Sequence, residues 1–284
     1  MAPIERRGAK EKELSDNHVE THYTRQGLGE IILAALKQAG KDIDHLTTDD
    51  LAPVDEFHGG QRQATIRLAD LLGFGGGERV LDIGSGIGGP SRFLASRYGC
   101  RVTGIELTAE FCRVAEMLTR LTGLTEKVTY RQGDALDLPF EDMSFDVVWS
   151  QNASMNIADR DRLYSEMRRV LKPGGRLALQ EVVAGPGGEP HYPVPWAQEA
   201  SISFLLTADA TRKKLEAAGF RVVTWQDTTQ TSSQSWNRAA EGPPPLLGIH
   251  LLIGPDWAAV ARNSARNYQE DRARLFNAVL ERPS

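Results

Sequence analysis

Cysteine is scarce: Cys100 and Cys112 are the only two in 284 residues. Neither belongs to a C-x-x-C pair or a Cys/His ligand spacing, which excludes a disulfide scaffold, a zinc module or dithiol redox chemistry, and no metal is expected. Long apolar runs are missing too. Nothing approaches the ~18 residues of a membrane span, and the opening MAPIERRGAKEKEL lacks the apolar stretch of a secretion signal. A reduced, cytoplasmic setting is the expectation. Basic excess is absent, with 33 Lys and Arg against 38 Asp and Glu, so neither nucleic acid nor a membrane is an expected partner. What is present, 40% hydrophobic and 25% charged residues, suffices for one large buried core.

Periodicity organises the chain. Residues 1 to about 15 are charged and expected to fray. Leu28, Ile31, Ile32, Ala35, Leu36 and Ala39 recur at helical spacing before Gly40, and Ala64, Leu68, Leu71 and Leu72 form a second stripe closed by Gly73. From Arg79 strand and helix alternate: RVLDIG, a helix from about Pro90, RVTGIE, a helix from about Ala109, KVTYRQ, FDVVWSQ, a helix around Arg160 ending at KPGG, RLALQEVV, a helix near Ala208, and RVVTWQDT. Such alternation predicts a parallel sheet with helices on both faces, and ligands of such sheets lie beyond the carboxyl ends of the strands. Beyond Thr231 the pattern weakens. EGPPPLLG reads as a turn, the stretch from Trp257 as a helix and ARLFNAVLER as a last strand; the apolar SWNRAAEGPPPLLGIHLLIG is expected to pack in the core, and a homo-oligomer stays open.

Between the first strand and its helix, VLDIGSGIGGPSRFLA places Gly84, Gly86 and Gly89 in a G-x-G-x-x-G pattern. A dinucleotide would put its pyrophosphate at that helix N-terminus, where a carboxylate is repulsive. Asp82 stands two residues before Gly84, so a cationic ligand, an ammonium or a sulfonium, fits better than two phosphates. Glu106, ending the second strand, can accept both hydrogen bonds of a ribose diol. In QGDALDLPF, Asp134 can accept from an adenine amino group and the Ala135 N–H can meet a ring nitrogen.

With FDVVWSQ and LKPGG at these spacings, the stretch from Val80 to Thr228 resembles the class I S-adenosylmethionine (SAM) dependent methyltransferases. More narrowly, DEFHGGQRQAT, VLDIGSGIGGPSRFLASRYGCRVTGIELT, VVWSQNASMNIADR and RVLKPGGRLAL look like sarcosine/dimethylglycine N-methyltransferases and, less closely, phosphoethanolamine N-methyltransferases. The resemblance implies a Rossmann-like α/β fold: a mostly parallel seven-stranded sheet ending in one antiparallel strand, helices on both faces, a helical cap or lid over 1–60, and a methyltransferase domain over 61–284 with insertions at about 184–207 and 232–272. It implies SAM as cofactor, S-adenosylhomocysteine as product, and a binding set of Asp82, Gly84, Ser85, Gly86, Gly88, Glu106, Leu107, Asp134, Ala135, Gln151 and Gln61. Tyr23 and the FHGG turn with His58 would lie near the methionine part of the cofactor.

The acceptor is less legible. Its wall is expected from Tyr23 and His58 of the cap, from Asn152 and Asn156 after the fourth strand, and from Tyr192 and Trp196 in AGPGGEPHYPVPWAQEASISF. Candidate catalytic groups are His191 as a base, Glu181 as a holder of an ammonium, and Tyr23. Asn156 stands where the phosphoethanolamine enzymes carry a histidine, which puts a Tyr–His dyad in doubt, since an amide is no base near neutral pH. The first expectation is methylation of a small amine of the glycine, sarcosine or dimethylglycine type. The alternative is O- or C-methylation of a larger apolar metabolite, which a pocket without a carboxylate-binding arginine would favour. Outside this chemistry stand an NAD-linked oxidoreductase, against which Asp82 argues, and a SAM-binding protein without turnover.

Overall fold

A computed structural model of the chain describes residues 18–284; the charged start expected to fray lies outside them. Seven strands form one sheet: β1 Arg79–Ile83, β2 Arg101–Glu106, β3 Val128–Gln132, β4 Phe145–Gln151, β5 Leu171–Ala184, β6 Arg221–Asp227 and β7 Ala273–Glu281. Their order is β3-β2-β1-β4-β5-β7-β6. β1 to β5 pair in parallel, while β7 runs antiparallel to β5 and β6. The helices are α1 Leu28–Gln38, α2 Thr48–Asp55, α3 Gln61–Leu72, α4 Gly89–Tyr98, α5 Ala109–Leu121, α6 Arg160–Val170, α7 Ala208–Ala217, α8 Thr229–Glu241, α9 His250–Ile253 and α10 Trp257–Gln269.

Strand alternation builds the core on both faces. Leu81, Val148 and Leu177 point to one side, where Leu163 and Met167 of α6 and Leu215 of α7 cover them. Val80, Val147 and Ala178 point to the other, against Leu68 of α3 and Leu94 of α4. Two stretches depart from the sequence expectation. The KPGG segment belongs to β5, which starts at Leu171 and shifts register between Phe145 and Val147 of its neighbour. The helix α8, TQTSSQSWNRAAE, carries few apolar residues, and only Ser232 and Trp236 of it are buried.

The N-terminal segment is tied to the sheet behind the glycine loop. Thr47 and Asp50 close a reciprocal capping box at the start of α2, and the last residue of α2, Asp55, accepts a 2.8 Å hydrogen bond from Arg92 Nη2 of α4, both side chains fully buried. Arg92 also donates to Thr119 Oγ1 at 3.2 Å. A Cβ at Gly89 would run into the Asp55 carbonyl, so α2 can approach α4 only over a glycine. Removing one partner of a buried pair costs about 3–5 kcal/mol, whereas replacing both by apolar groups costs far less. Urea unfolding of Arg92→Met should show that loss, since Asp55 keeps only Arg62 Nη2 at 4.0 Å, and the double variant Asp55→Leu/Arg92→Met should recover much of it.

Candidate active site

A cavity of about 780 Å³ opens at the carboxyl ends of β1, β2 and β4, within the ~300–1,000 Å³ of small-molecule sites. Its floor is the glycine loop. Gly84, Gly86 and Gly88 have φ of 71°, 55° and 85°, the left-handed region that side chains avoid. Cβ atoms at Gly84 and Gly88 would strike Ala153 and Tyr130, but at Gly86 one would meet open space. Gly86 is therefore where a ligand can lie on bare backbone. Glu106 pins the loop, accepting 2.9 Å hydrogen bonds from the Gly86 and Thr108 amides. Burial pushes its carboxyl up, against those two amides.

Asp82 also lines the cavity and accepts from Ser91 Oγ at 2.6 Å. Burial raises its carboxyl to about 7, with Ser91 pulling the other way. Ser85, whose buried hydroxyl has no partner among the described residues, Leu107, Asp134 and Ala135 join the same wall. Asp134 accepts from the Leu136 amide at 2.8 Å. Gly88 and Gln61 do not reach the cavity wall: Gly88 packs under Tyr130, and Gln61 opens α3 with its amide on the His58 carbonyl.

His58 and Gln151 face the cavity from a closed polar network. The Trp149 indole can only donate, so Gln151 turns its Oε1 to it at 3.0 Å. The Gln151 amide nitrogen then donates to His58 Nδ1 at 3.5 Å and to Gln180 Oε1 at 3.2 Å. That leaves His58 Nε2 to carry the proton toward Glu56 Oε2 at 2.8 Å, where Thr65 Oγ1 also donates at 2.6 Å. Burial would raise Glu56, but hydrogen bonds from His58 and Thr65 and the charge of Arg62 hold it below the usual carboxylate range. Both ring nitrogens of His58 are thus engaged by the protein.

Elsewhere on the wall, Tyr23 Oη donates to Asn156 Oδ1 at 2.8 Å. Asn156 Nδ2 donates to the Trp196 and Ile202 carbonyls at 2.7 and 2.9 Å. Burial, reinforced by Glu106, raises the Tyr23 phenol, so it stays protonated and is no base at neutral pH. Asn152, at φ 51°, and Trp196 line the cavity. Three expectations need correction. His191 is outside the cavity, because its Nε2 pairs with Glu270 at 2.9 Å and its backbone amide donates to Asn267 Oδ1 at 2.8 Å. Glu181 is sealed beneath the wall, taking the Ser154 hydroxyl and lying 3.8 Å from Arg160 Nη1. Tyr192 packs on the cluster behind the wall rather than on the cavity.

Sequence reasoning reached the apolar end at Phe57 of the FHGG turn and read the remainder as core packing ahead of a cover over an apolar acceptor. Phe57, Met155, Phe204, Trp236, Ile249 and Tyr268 line it. Trp236 and Ile249 come from the stretch expected to be simple core, and Tyr268 from α10. The signal available was the aromatic spacing itself, but nothing local tells a wall tryptophan from a core one.

A mixed sheet of this order, with three carboxylates around a bare glycine loop at its carboxyl edge, defines a Rossmann-like nucleoside-binding protein. Comparison narrows the class. A family model described as a methyltransferase domain matches residues 81–179. The chain is 32% identical over 206 residues to the 27-O-demethylrifamycin SV methyltransferase of Amycolatopsis mediterranei, covering 71% of this chain and 75% of that protein. It is 29% identical over 220 residues to the glycine/sarcosine/dimethylglycine N-methyltransferase of Actinopolyspora halophila, covering 76% of this chain but only 38% of that protein. In fold it matches the geranyl diphosphate C-methyltransferase of Streptomyces coelicolor A3(2), with a TM-score of 0.71, 19% identity and coverage of 94% and 97% of the two chains. The chain belongs to the class I SAM-dependent methyltransferases, and SAM is the cofactor of that family.

The desolvated Asp82 generates a stability prediction. In the fold Asp82 holds its proton up to about pH 7, whereas unfolded it releases it near ~3.9. Native protein therefore binds more protons in that window, and ligand-free stability falls as pH rises through it. Asp82→Asn should raise the Tm of ligand-free protein at pH 8, and the gain should vanish by pH 4.

Proposed function

We propose that the protein transfers the SAM methyl group to an apolar small molecule, at oxygen or carbon, rather than to an amine of the glycine series. The observation that carries this reading is the polarity split of the cavity. Asp82, Glu106 and Asp134 come from the ends of β1, β2 and β3, whereas Met155, Phe204, Trp236, Ile249 and Tyr268 come from the loop after β4 and the insertions after β5 and β6. Among the described residues the only Arg or Lys on the wall is Arg162, half exposed and already donating to the Leu136 carbonyl at 2.8 Å. A glycine-type acceptor would bring its carboxylate against a wall on which Arg162, half exposed and already bonded, is the one guanidinium or ammonium among the described residues, a costly desolvation. An apolar skeleton suits that wall.

The residues present fit SAM. Gly86 leaves room for a ligand against bare backbone, Glu106 keeps free lone pairs for a ribose diol, and Asp134 with the Ala135 amide suits the adenine edge. Asp82, desolvated and bonded to the Ser91 hydroxyl, suits the cationic methionine end. Bound SAM supplies a sulfonium methyl for in-line displacement. The chain's own task is then to hold the nucleophile about 3–3.5 Å from that methyl and exclude water. We assign the exclusion of water to residues 18–60 as a lid, supported by Val19 and Tyr23 on the cavity wall and by the Tyr23–Asn156 bond.

Labelled SAM should be offered with glycine, sarcosine, dimethylglycine and phosphoethanolamine, and with uncharged phenols, naphthols and prenyl alcohols as apolar acceptors, with SAM affinity measured alongside by calorimetry. Turnover on the apolar acceptors and none on the glycine series is expected; turnover confined to the amines overturns the reading. Tight SAM binding with no turnover on any class would instead support a binding protein. Glu106→Ala should weaken SAM binding by about 1.5–3 kcal/mol, the worth of a charge-assisted hydrogen bond, and unchanged affinity would remove that assignment.

A further inference from the structure

The insertion between β6 and β7 contains a repeated arrangement that the SAM site does not use. Helices α8 and α10 pack on each other. Each carries a buried serine one turn before a buried aromatic, Ser232 before Trp236 and Ser264 before Tyr268. The i, i+4 spacing puts each pair on one helix face. Trp236 and Tyr268 line the cavity, while Ser232 and Ser264 are buried behind its wall.

Ser232 stands beside the Tyr268 phenol. Burial pushes that phenol up to about 12, with Ser232 acting the other way, so at neutral pH Tyr268 is a donor. The adjacent face of α10 has a different task. Asn263 Nδ2 donates to the Pro193 carbonyl at 3.1 Å, and Asn267 bonds both the amide and the carbonyl of His191. One helix therefore fixes the insertion after β5 and presents Tyr268 to the cavity.

We propose that the helix pair α8 and α10 selects the methyl acceptor: Trp236 and Tyr268 receive a flat apolar skeleton, and the Tyr268 hydroxyl receives one uncharged oxygen substituent on it. The inference rests on the apolar-acceptor reading above and names its chemistry: a planar, hydroxyl- or carbonyl-bearing molecule. Trp236 and Tyr268 are specificity determinants, with no part in the transfer step.

Calorimetry with protein saturated by S-adenosylhomocysteine tests this, using 2-naphthol and the near-isosteric 2-methylnaphthalene as probes. Wild type should bind 2-naphthol about fivefold or more tightly than 2-methylnaphthalene. Tyr268→Phe should abolish that preference, and Trp236→Ala should weaken both probes tenfold or more, with Trp236→Phe restoring most of the loss. S-adenosylhomocysteine affinity should stay within twofold throughout. A preference that survives Tyr268→Phe, probe affinities untouched by Trp236→Ala, or no binding of either probe to wild type would overturn the proposal. So would a parallel fall in S-adenosylhomocysteine affinity, which would place these residues in the cofactor site or the fold. If the probe pattern holds while no apolar acceptor is methylated, the methyl-transfer reading fails alone.

Discussion

A guanidinium shut away from solvent sets the position of half the site. Arg92 rises from the helix that follows the glycine loop and holds Asp55 at 2.8 Å. The residues immediately after Asp55 are Glu56, Phe57 and His58, so one ion pair places the carboxylate that orients His58, a wall aromatic and the histidine itself. Two buried charges are stable there only because each is multiply bonded, Arg92 to Asp55, Thr119 and Ala115, and Glu56 to His58, Thr65 and Arg62. The approach this requires is admitted by Gly89. A glycine pattern with the spacing of a ligand cradle is therefore partly a docking surface for the N-terminal segment.

The cavity joins two physical environments that favour opposite ligands. At one end carboxylates are desolvated, and Asp82 shows the consequence in a carboxyl raised to about 7. A cation entering that end gains the attraction of a low-dielectric site and restores the ionised carboxylate. At the other end the wall offers dispersion and area rather than charge. The helical insertions that supply it are fastened to each other through Asn263, Asn267 and the Glu270–His191 pair, so Trp196 and Tyr268 are held in a common frame.

Much of this is legible in the amino-acid sequence. The alternation from Arg79 fixes the parallel part of the sheet because central strands are apolar on both faces, and Asp82, Glu106 and Asp134 stand out because a carboxylate at a strand end has few structural reasons to be there. The exceptions have identifiable causes. His191 looks available in sequence because its partner Glu270 is 79 residues away. Glu181 sits at a strand position whose facing direction depends on β7 and on Ser154, neither of which is local. The helix carrying Trp236 is nearly all polar, since it buries one narrow stripe, and periodicity has little to detect there. Gln151 reads as a ligand contact from its place at a strand end, yet its amide is oriented by Trp149, two residues earlier on the same strand.

Asn156 shows how a residue poorly suited to chemistry suits construction. It accepts from Tyr23 and donates to the carbonyls of Trp196 and Ile202, joining the N-terminal segment, the loop after β4 and the insertion after β5. That bonding needs one acceptor and two donors from one short side chain. An amide has them; a neutral imidazole has one donor and one acceptor, and a protonated one has no acceptor. A histidine here would give up at least one of the three connections, and a protonated histidine would lose Tyr23. The amide thus exchanges a titratable group for closure of the cavity. Asn156 can therefore take no proton from an acceptor, and its part in the site is positioning and dryness.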